Sequence, residues 1–421
     1  VALAQGLTVT MPQASSGEGA TIDVAALAEF TSAITGADGV LASAANLVLD
    51  HLGLRTHAAA IETDADALAL REHIERELGA DWVRHTATAF DADLAFVLDD
   101  RWASAREDVA RIGLGLEVPD SLQFAGTGES VARQAEYWFT KNPDPRLGEI
   151  AKAARREASG PFSEDVAVVT GASTGSIAAG VVANLLRQGA TVVATTSSMS
   201  DSKREFFKKL YRSNAAGGAV LWVVPANMAS FADVDALAEW LRTEQSHTAA
   251  GVTTVMKPAL VPSLLVPFAA GSASGETVDA GPQTETQARI LLWSVERLMG
   301  QIAEHITARD INASLHVLLP GSPNRGMFGG DGAYAEAKAG LDALVNKWRS
   351  EKRWAKRITL THAIIGWVRG TGLMSRNDPL VEAVEAAGVQ TWAPDDMAAA
   401  LLDHCTPAKR LAAASDPIEV D

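Results

Sequence analysis

Cysteine is almost missing from this chain: Cys405 is the one thiol among 421 residues. A disulfide framework is therefore excluded, and the expected location is a reducing cytoplasm. Tyrosine is nearly as scarce, with three in all, so chemistry that needs a phenol has few places to sit. The nine histidines lack the short spacings that hold zinc, and no metal site is expected. A positive balance is missing too: the formal net charge is −16, which argues against general nucleic-acid binding. Most of that charge lies early, because residues 1–163 hold 13 Lys/Arg against 25 Asp/Glu, leaving 23 against 27 for the rest. The opening VALAQGL has no Met and no cationic stretch before an apolar run, so no signal peptide is expected. Both ends read as cuts in a longer polypeptide.

What is present is the composition of a soluble globular protein, 47% apolar and 21% charged, at a length that suggests two or three packing units. Residues 1–20, rich in Gly, Ser and Pro, read as linker. Residues 21–161 read as a mainly helical scaffold; Gly79 stands as a C-cap after REHIEREL, and AFVLDDRW reads as one short strand. The boundary is expected at ASGPFSED, 158–165, and residues 162–421 as a Rossmann-type domain. Val166–Leu186 has 21 residues without formal charge, long enough to span a bilayer. Its β-friendly start, Gly-rich middle and helical end describe strand, turn and helix instead.

After that boundary six apolar runs alternate with helical segments: VAVVTGAS, ATVVATTSS, GAVLWVVPAN, SLLVPFAAG, ASLHVLLPGS and ITLTHAIIGW. Such alternation means βαβ units, and continuous apolar runs mean parallel strands buried on both faces. The expected fold class is α/β, a doubly wound parallel sheet. TGASTGSI follows the first strand. Glycine is needed there so that the backbone can approach a pyrophosphate at a helix N-terminus. Gly171 and Gly175 are in place, while Ile177 stands where a third glycine is usual. The second strand ends in Thr195, Thr196, Ser197 and Ser198 where NAD sites carry an acid, and Lys203 and Arg204 follow. Hydroxyls and cations suit a 2′-phosphate, so NADPH is favoured; Asp201 counts against it.

Tyr-x-x-x-Lys occurs twice, at Tyr137/Lys141 and Tyr334/Lys338. Tyr137 precedes the glycine turn and lies outside the expected sheet. Tyr334 follows the fifth run, at the carboxyl edge where open α/β sheets bind ligands, and Ser322 ends that run. Ser322 can donate to a substrate carbonyl oxygen, Tyr334 can protonate it as hydride arrives at carbon, and Lys338 can hold a ribose and lower the phenol's pKa.

These residues resemble the short-chain dehydrogenase/reductase superfamily. LPGSPNRGMFGGDGAYAEAK, WVVPAN and IIGWVRGTGLM are similar to the ketoreductase domain of type I fatty acid synthases of fungi and actinobacteria, over about 164–415. The resemblance implies reduction of 3-oxoacyl groups on acyl carrier protein by NADPH, within a large homo-oligomer. It implies Ser322, Tyr334 and Lys338 as catalytic, and cofactor contacts from Gly171, Ser173, Gly175, Ser176, Ile177, Thr196, Ser197, Ser198, Asn227, Met228, Ala269 and Lys338. Pro267-Phe268-Ala269-Ala270 departs from the Asn-Asn-Ala-Gly usual in small reductases, and Ser294 is the nearest stand-in for their relay Asn. Asp120-Ser121-Leu122 matches a carrier attachment tripeptide, without carrier-like helices around it. LVNKWRSEKRWAKR, with six cations from Lys347 to Arg357, reads as a solvated helix end or as a patch that steers an acidic carrier. A dehydrogenase for another alcohol or ketone, or a non-catalytic module of a large synthase, stays open.

Overall fold

A computed structural model describes residues 23–51, 59–78, 85–99, 109–116, 129–154, 160–216, 218–309, 313–373 and 378–421. The expected linker, Gly79 and the Asp120-Ser121-Leu122 tripeptide lie outside them. Contacts divide the chain into two units, Val1–His85 and Thr86–Asp421. In the first, helices span Val24–Thr35, Val40–His51 and Asp64–Leu78. The Asp23 carboxylate caps the first helix, accepting from the N–H groups of Ala25 and Ala26 at 3.0 and 3.1 Å. Residues 24–49 are apolar enough to suit a membrane span. The helix nevertheless breaks at Gly36–Gly39, and each arm of 12 residues is shorter than the roughly 20 a bilayer requires.

The second unit contains an eight-stranded sheet: β1 (Phe96–Leu98), β2 (Val166–Thr170), β3 (Thr191–Thr196), β4 (Val220–Pro225), β5 (Leu264–Pro267), β6 (Leu315–Gly321), β7 (Ile358–Ile364) and β8 (Ile418–Val420). Their order is β1-β4-β3-β2-β5-β6-β7-β8. Every pairing is parallel except β1 on β4. The six expected strands are β2 to β7, and the order reverses between β2 and β5, the switch point of a doubly wound sheet. β1 is the short strand read in AFVLDDRW, but its antiparallel pairing with β4 carries the sheet unit past the boundary expected at 158–165, and β8 is an edge strand that was not expected. Val166–Leu186 is β2, a turn and a helix, as its composition implies.

The helices that matter for the site are α1 (Ile177–Arg187), α2 (Asp201–Asn214), α3 (Phe231–Arg242), α4 (Pro282–Ala288), α5 (Ser294–Arg309), α6 (Tyr334–Ser350), α7 (Pro394–Asp403) and α8 (Pro407–Ala413). Alternate β2 residues face opposite ways. Ala167 and Val169 pack with Val181 and Leu185 of α1, Phe207 of α2 and Leu401 of α7. Val168 packs on the other side with Leu237 of α3, Leu298 of α5 and Leu344 of α6. Gly180 lets α1 approach α7, because a Cβ there would lie 2.9 Å from the Ala398 methyl and 3.0 Å from an Asp395 oxygen. Helix-to-helix closeness is thus supplied one turn beyond the missing third glycine of TGASTGSI.

Two polar arrangements fix the sheet's ends. Arg410 of α8 donates through Nη1 and Nη2 to the two carboxylate oxygens of Asp165 at 2.6 and 2.9 Å, and the Ser263 hydroxyl donates to the same carboxylate at 2.5 Å. On β6, His316 lies between Thr359 and Thr361 of β7, its ring nitrogens 2.8 and 3.1 Å from their hydroxyls. Burial, with a smaller push from Arg410, holds His316 down to about 3. In the unfolded chain it takes a proton near 6.5. Protons therefore favour unfolding in this window, and stability present above about pH 6.5 drains as pH falls towards 3. Thermal unfolding should show a midpoint that falls on acidification, and His316→Gln a shallower decline; equal slopes would remove His316 from the account.

The basic run after Lys347 is paired in part within the fold. Lys347 lies 3.4 Å from Glu296, and Arg349 bridges Asp416 and Glu419 at 2.9 and 2.7 Å.

Candidate active site

The carboxyl ends of β2 to β6 bring five loops to one edge, and nearly every residue singled out above sits on them. After β2 the chain turns sharply at Gly171 and Gly175, both with positive φ, +78° and +74°. A Cβ on Gly171 would lie 2.6 Å from the Ala269 backbone and 2.7 Å from the Phe268 carbonyl oxygen, whereas Gly175 meets only the Gly370 carbonyl oxygen at 3.5 Å. Gly171 is therefore required by its neighbours as well as by its conformation. Ser176 is the N-cap of α1: its hydroxyl oxygen accepts from the N–H groups of Ala179 and Ser173 at 3.1 and 3.0 Å and donates to the Ser173 carbonyl at 2.7 Å. The Ile177 and Ala178 N–H groups begin the helix, where no carbonyl of the same helix can reach them. Glycine turn, cap and free helix end together fit a pyrophosphate.

The remaining candidates divide between those that face the edge and those that build it. Thr196 is buried and its hydroxyl donates to the Ser198 carbonyl at 3.0 Å, while Ser197 and Ser198 are exposed. Arg204 stacks on Phe96 of β1, 5.3 Å from the ring centre, so the edge strand orients one of the two cations read as a phosphate grip. The Asn227 side chain works structurally, donating to the Ala87 carbonyl and accepting from the Ala229 N–H. Met228 is buried, and its carbonyl takes the Ser294 hydroxyl proton at 2.5 Å. That commits Ser294 to joining α5 to the loop after β4 rather than to a relay. The Ala269 N–H donates to the Thr170 hydroxyl at 3.0 Å.

Ser322, Tyr334 and Lys338 come together. Ser322 follows β6, and its hydroxyl oxygen accepts from the Asn324 N–H at 3.2 Å. Tyr334 opens α6 with its phenol close enough to Ser322 for that hydroxyl to influence its pKa. Lys338 lies one turn on, buried, with Nζ 5.6 Å from the Tyr334 ring centre and donating to the Pro320 carbonyl at 2.6 Å. Burial raises the phenol above its usual range, Ser322 pulls it back, and Asp331 adds a further push upward. Burial also pulls Lys338 down to about 7. The expectation that Lys338 lowers the phenol's pKa is thus corrected: desolvation dominates, and the phenol stays protonated.

The other tyrosines are accounted for by packing. Tyr211 is buried and donates to the Ala219 carbonyl at 3.0 Å. Tyr137 is exposed on a helix spanning Glu129–Lys141, with Lys141 5.7 Å from its ring centre. Among the described residues no cluster of three His, Cys, Asp or Glu side chains is placed to hold a metal.

Sequence reasoning missed Gln287, on α4 just before a π-turn (Arg289–Trp293). Its side chain is buried and bonded to the loops that flank Tyr334. A lone glutamine in a polar helix carries no signal of this. Gly180 did leave one, since glycine inside a helical pattern points to close packing.

No family model matches the chain. Over 250 residues, 58% of the chain, it is 40% identical to the fatty acid synthase subunit alpha of Saccharomyces cerevisiae, and over 239 residues 38% identical to that of Schizosaccharomyces pombe. The chain is homologous to a segment of fatty acid synthase alpha subunits. It spans about an eighth of those relatives, 13% and 12% of their lengths. Among solved structures, a short-chain dehydrogenase/reductase from Serratia marcescens overlays 62% of the chain and 98% of its own, with a TM-score of 0.48 and 20% identity. An NADPH-bound short-chain oxidoreductase from Pseudomonas aeruginosa covers 62% of the chain and 96% of its own, with a TM-score of 0.47 and 22% identity.

Proposed function

We propose that this segment of a synthase reduces 3-oxoacyl thioesters, presented on an acyl carrier protein, to 3-hydroxyacyl thioesters with NADPH. One observation carries the reading: Ser322, Tyr334 and a buried Lys338 meet at the sheet edge that also bears the Gly171–Ser176 turn. The turn and the α1 N-terminus would hold the cofactor's pyrophosphate, and Thr196, Ser197, Ser198 and Lys203 lie where its adenosine end would reach. Bound there, NADPH supplies a hydride to the carbonyl carbon. Ser322 donates a hydrogen bond to the carbonyl oxygen, and Tyr334 gives that oxygen its phenolic proton, so the C=O becomes CH–OH and the phenol a phenolate. The Lys338 ammonium lies close enough to stabilise that phenolate. Similarity to part of a much longer subunit supports other synthase domains as partners; a carrier protein, a homo-oligomeric assembly and a cytoplasmic location are parts of the proposal.

The test is loss of NADPH absorbance with a 3-oxobutanoyl pantetheine thioester. Turnover on simple ketones but on no thioester would favour a different dehydrogenase, and nucleotide binding without turnover a structural module. The charged form of Lys338 exists below its pKa, so kcat/KM for NADPH, which reports the free enzyme, should fall as pH rises through about 7. Lys338→Met should be slow and lack that limb.

A further inference from the structure

Tyr334 opens its helix with its N–H on the Asp331 carbonyl at 3.2 Å. Ala333, immediately before it, is the N-cap of α6 and has no side chain able to accept from the first turn. Its own N–H is held from 46 residues away, where the Gln287 Oε1 accepts it at 2.6 Å, as the returning side chain of a capping box would. The other end of the same amide is also used: Nε2 donates to the Ser272 carbonyl at 2.7 Å and to the Ser274 carbonyl at 3.3 Å. Gln287 is 3% exposed, so no water replaces these bonds cheaply.

Backbone pairing repeats the linkage. The Gly275 N–H donates to the Gly330 carbonyl at 3.2 Å, and the Gly332 N–H to the Gly275 carbonyl at 2.8 Å. Gly332 leaves room for the glutamine, because a Cβ there would collide with Oε1 and come within 2.7 Å of the Ser274 carbonyl. One amide thus joins the loop after β5, which carries Ala269, to the loop after β6, which carries Ser322 and leads into Tyr334.

We infer that Gln287 is a positioning residue: it anchors Ala333, the residue that starts the Tyr334 helix, and so fixes the phenol relative to the β5 loop. The inference rests on the reductase reading for its kinetic arm only. Misplacing a proton donor by about 1 Å costs roughly 10²-fold in rate.

The experiment compares the protein with Gln287→Leu and Gln287→Glu. Gln287→Leu should lose kcat on the 3-oxobutanoyl thioester about 10²-fold, with the thioester KM and the NADPH Kd changed less than about 3-fold. Amide exchange over 329–338 should accelerate while the β2–β3 core stays protected. Gln287→Glu keeps the acceptor but donates only when its carboxyl is protonated, so its activity relative to the unaltered protein should rise as pH falls. A merely structural residue would not give that profile. Unaltered kcat in Gln287→Leu, loss of rate with unchanged exchange over 329–338, or a pH-independent ratio for Gln287→Glu would overturn the assignment. If the unaltered protein reduces no thioester, the reductase reading fails, and the exchange over 329–338 alone decides whether Gln287 orders Tyr334.

Discussion

Tyr334→Phe should lower turnover of a 3-oxoacyl thioester by about 10²- to 10⁴-fold, the range a single proton donor commands, while NADPH still binds. The substitution removes one oxygen and keeps the ring. Ser322 continues to polarise the carbonyl, but no phenolic proton meets the oxygen as hydride arrives. Removing one hydroxyl should cost stability by only about 1 kcal/mol, so a near-native melting profile accompanies the lost rate. Tyr137→Phe is the matched control: it makes the same change on an exposed helix and should leave turnover intact. A Tyr334→Phe protein with full rate would falsify the proton-donor role.

Gly171→Val should unfold part of the population and abolish cofactor binding in the remainder. Two costs add there. A β-carbon at φ +78° is strained by about 1–2 kcal/mol, and overpacking against a fixed neighbour adds about 1–3 kcal/mol. The neighbour cannot retreat: Ala269 is tied to the Thr170 hydroxyl, and β2 and β5 pair from Ala167↔Leu264 to Thr170↔Pro267. Gly175→Ala isolates the first cost, since its Cβ meets only the Gly370 carbonyl oxygen at 3.5 Å. Melting and NADPH fluorescence titration should rank the proteins unaltered, Gly175→Ala, Gly171→Val. Equal losses at the two glycines would show that conformation alone sets the cost.

The central sheet was legible because β2 to β7 are continuous apolar runs, and burial on both faces leaves no polar alternation to confuse with helix. Of the edge strands, Phe96–Leu98 was read within AFVLDDRW but not its place in the sheet, and Ile418–Val420 was not read at all; each has three residues, too few for a periodicity, and pairs with the backbone that β4 or β7 leaves open. In the site, Ser322, Tyr334 and Lys338 could be read from spacing and from order along the chain. Their electrostatics could not, because the raised phenol and lowered ammonium follow from burial. Ser294 and Asn227 carry groups that chemistry could use, and only their partners, Met228 and Ala87, show that those groups are already engaged.

The Asp165–Arg410 pair has a consequence in time. Its partners are 245 residues apart, so Asp165 leaves the ribosome and joins the start of β2 long before its guanidinium exists. Until then the carboxylate has Ser263 at best, and a buried charge in that position is costly. Hydrophobic packing of β2, β3 and β4 can begin early, but the charge at the base of β2 is neutralised only after α8 docks. The α8 stretch thereby acts as a latch, and completion of the sheet around β2 waits on residues far along the chain from it.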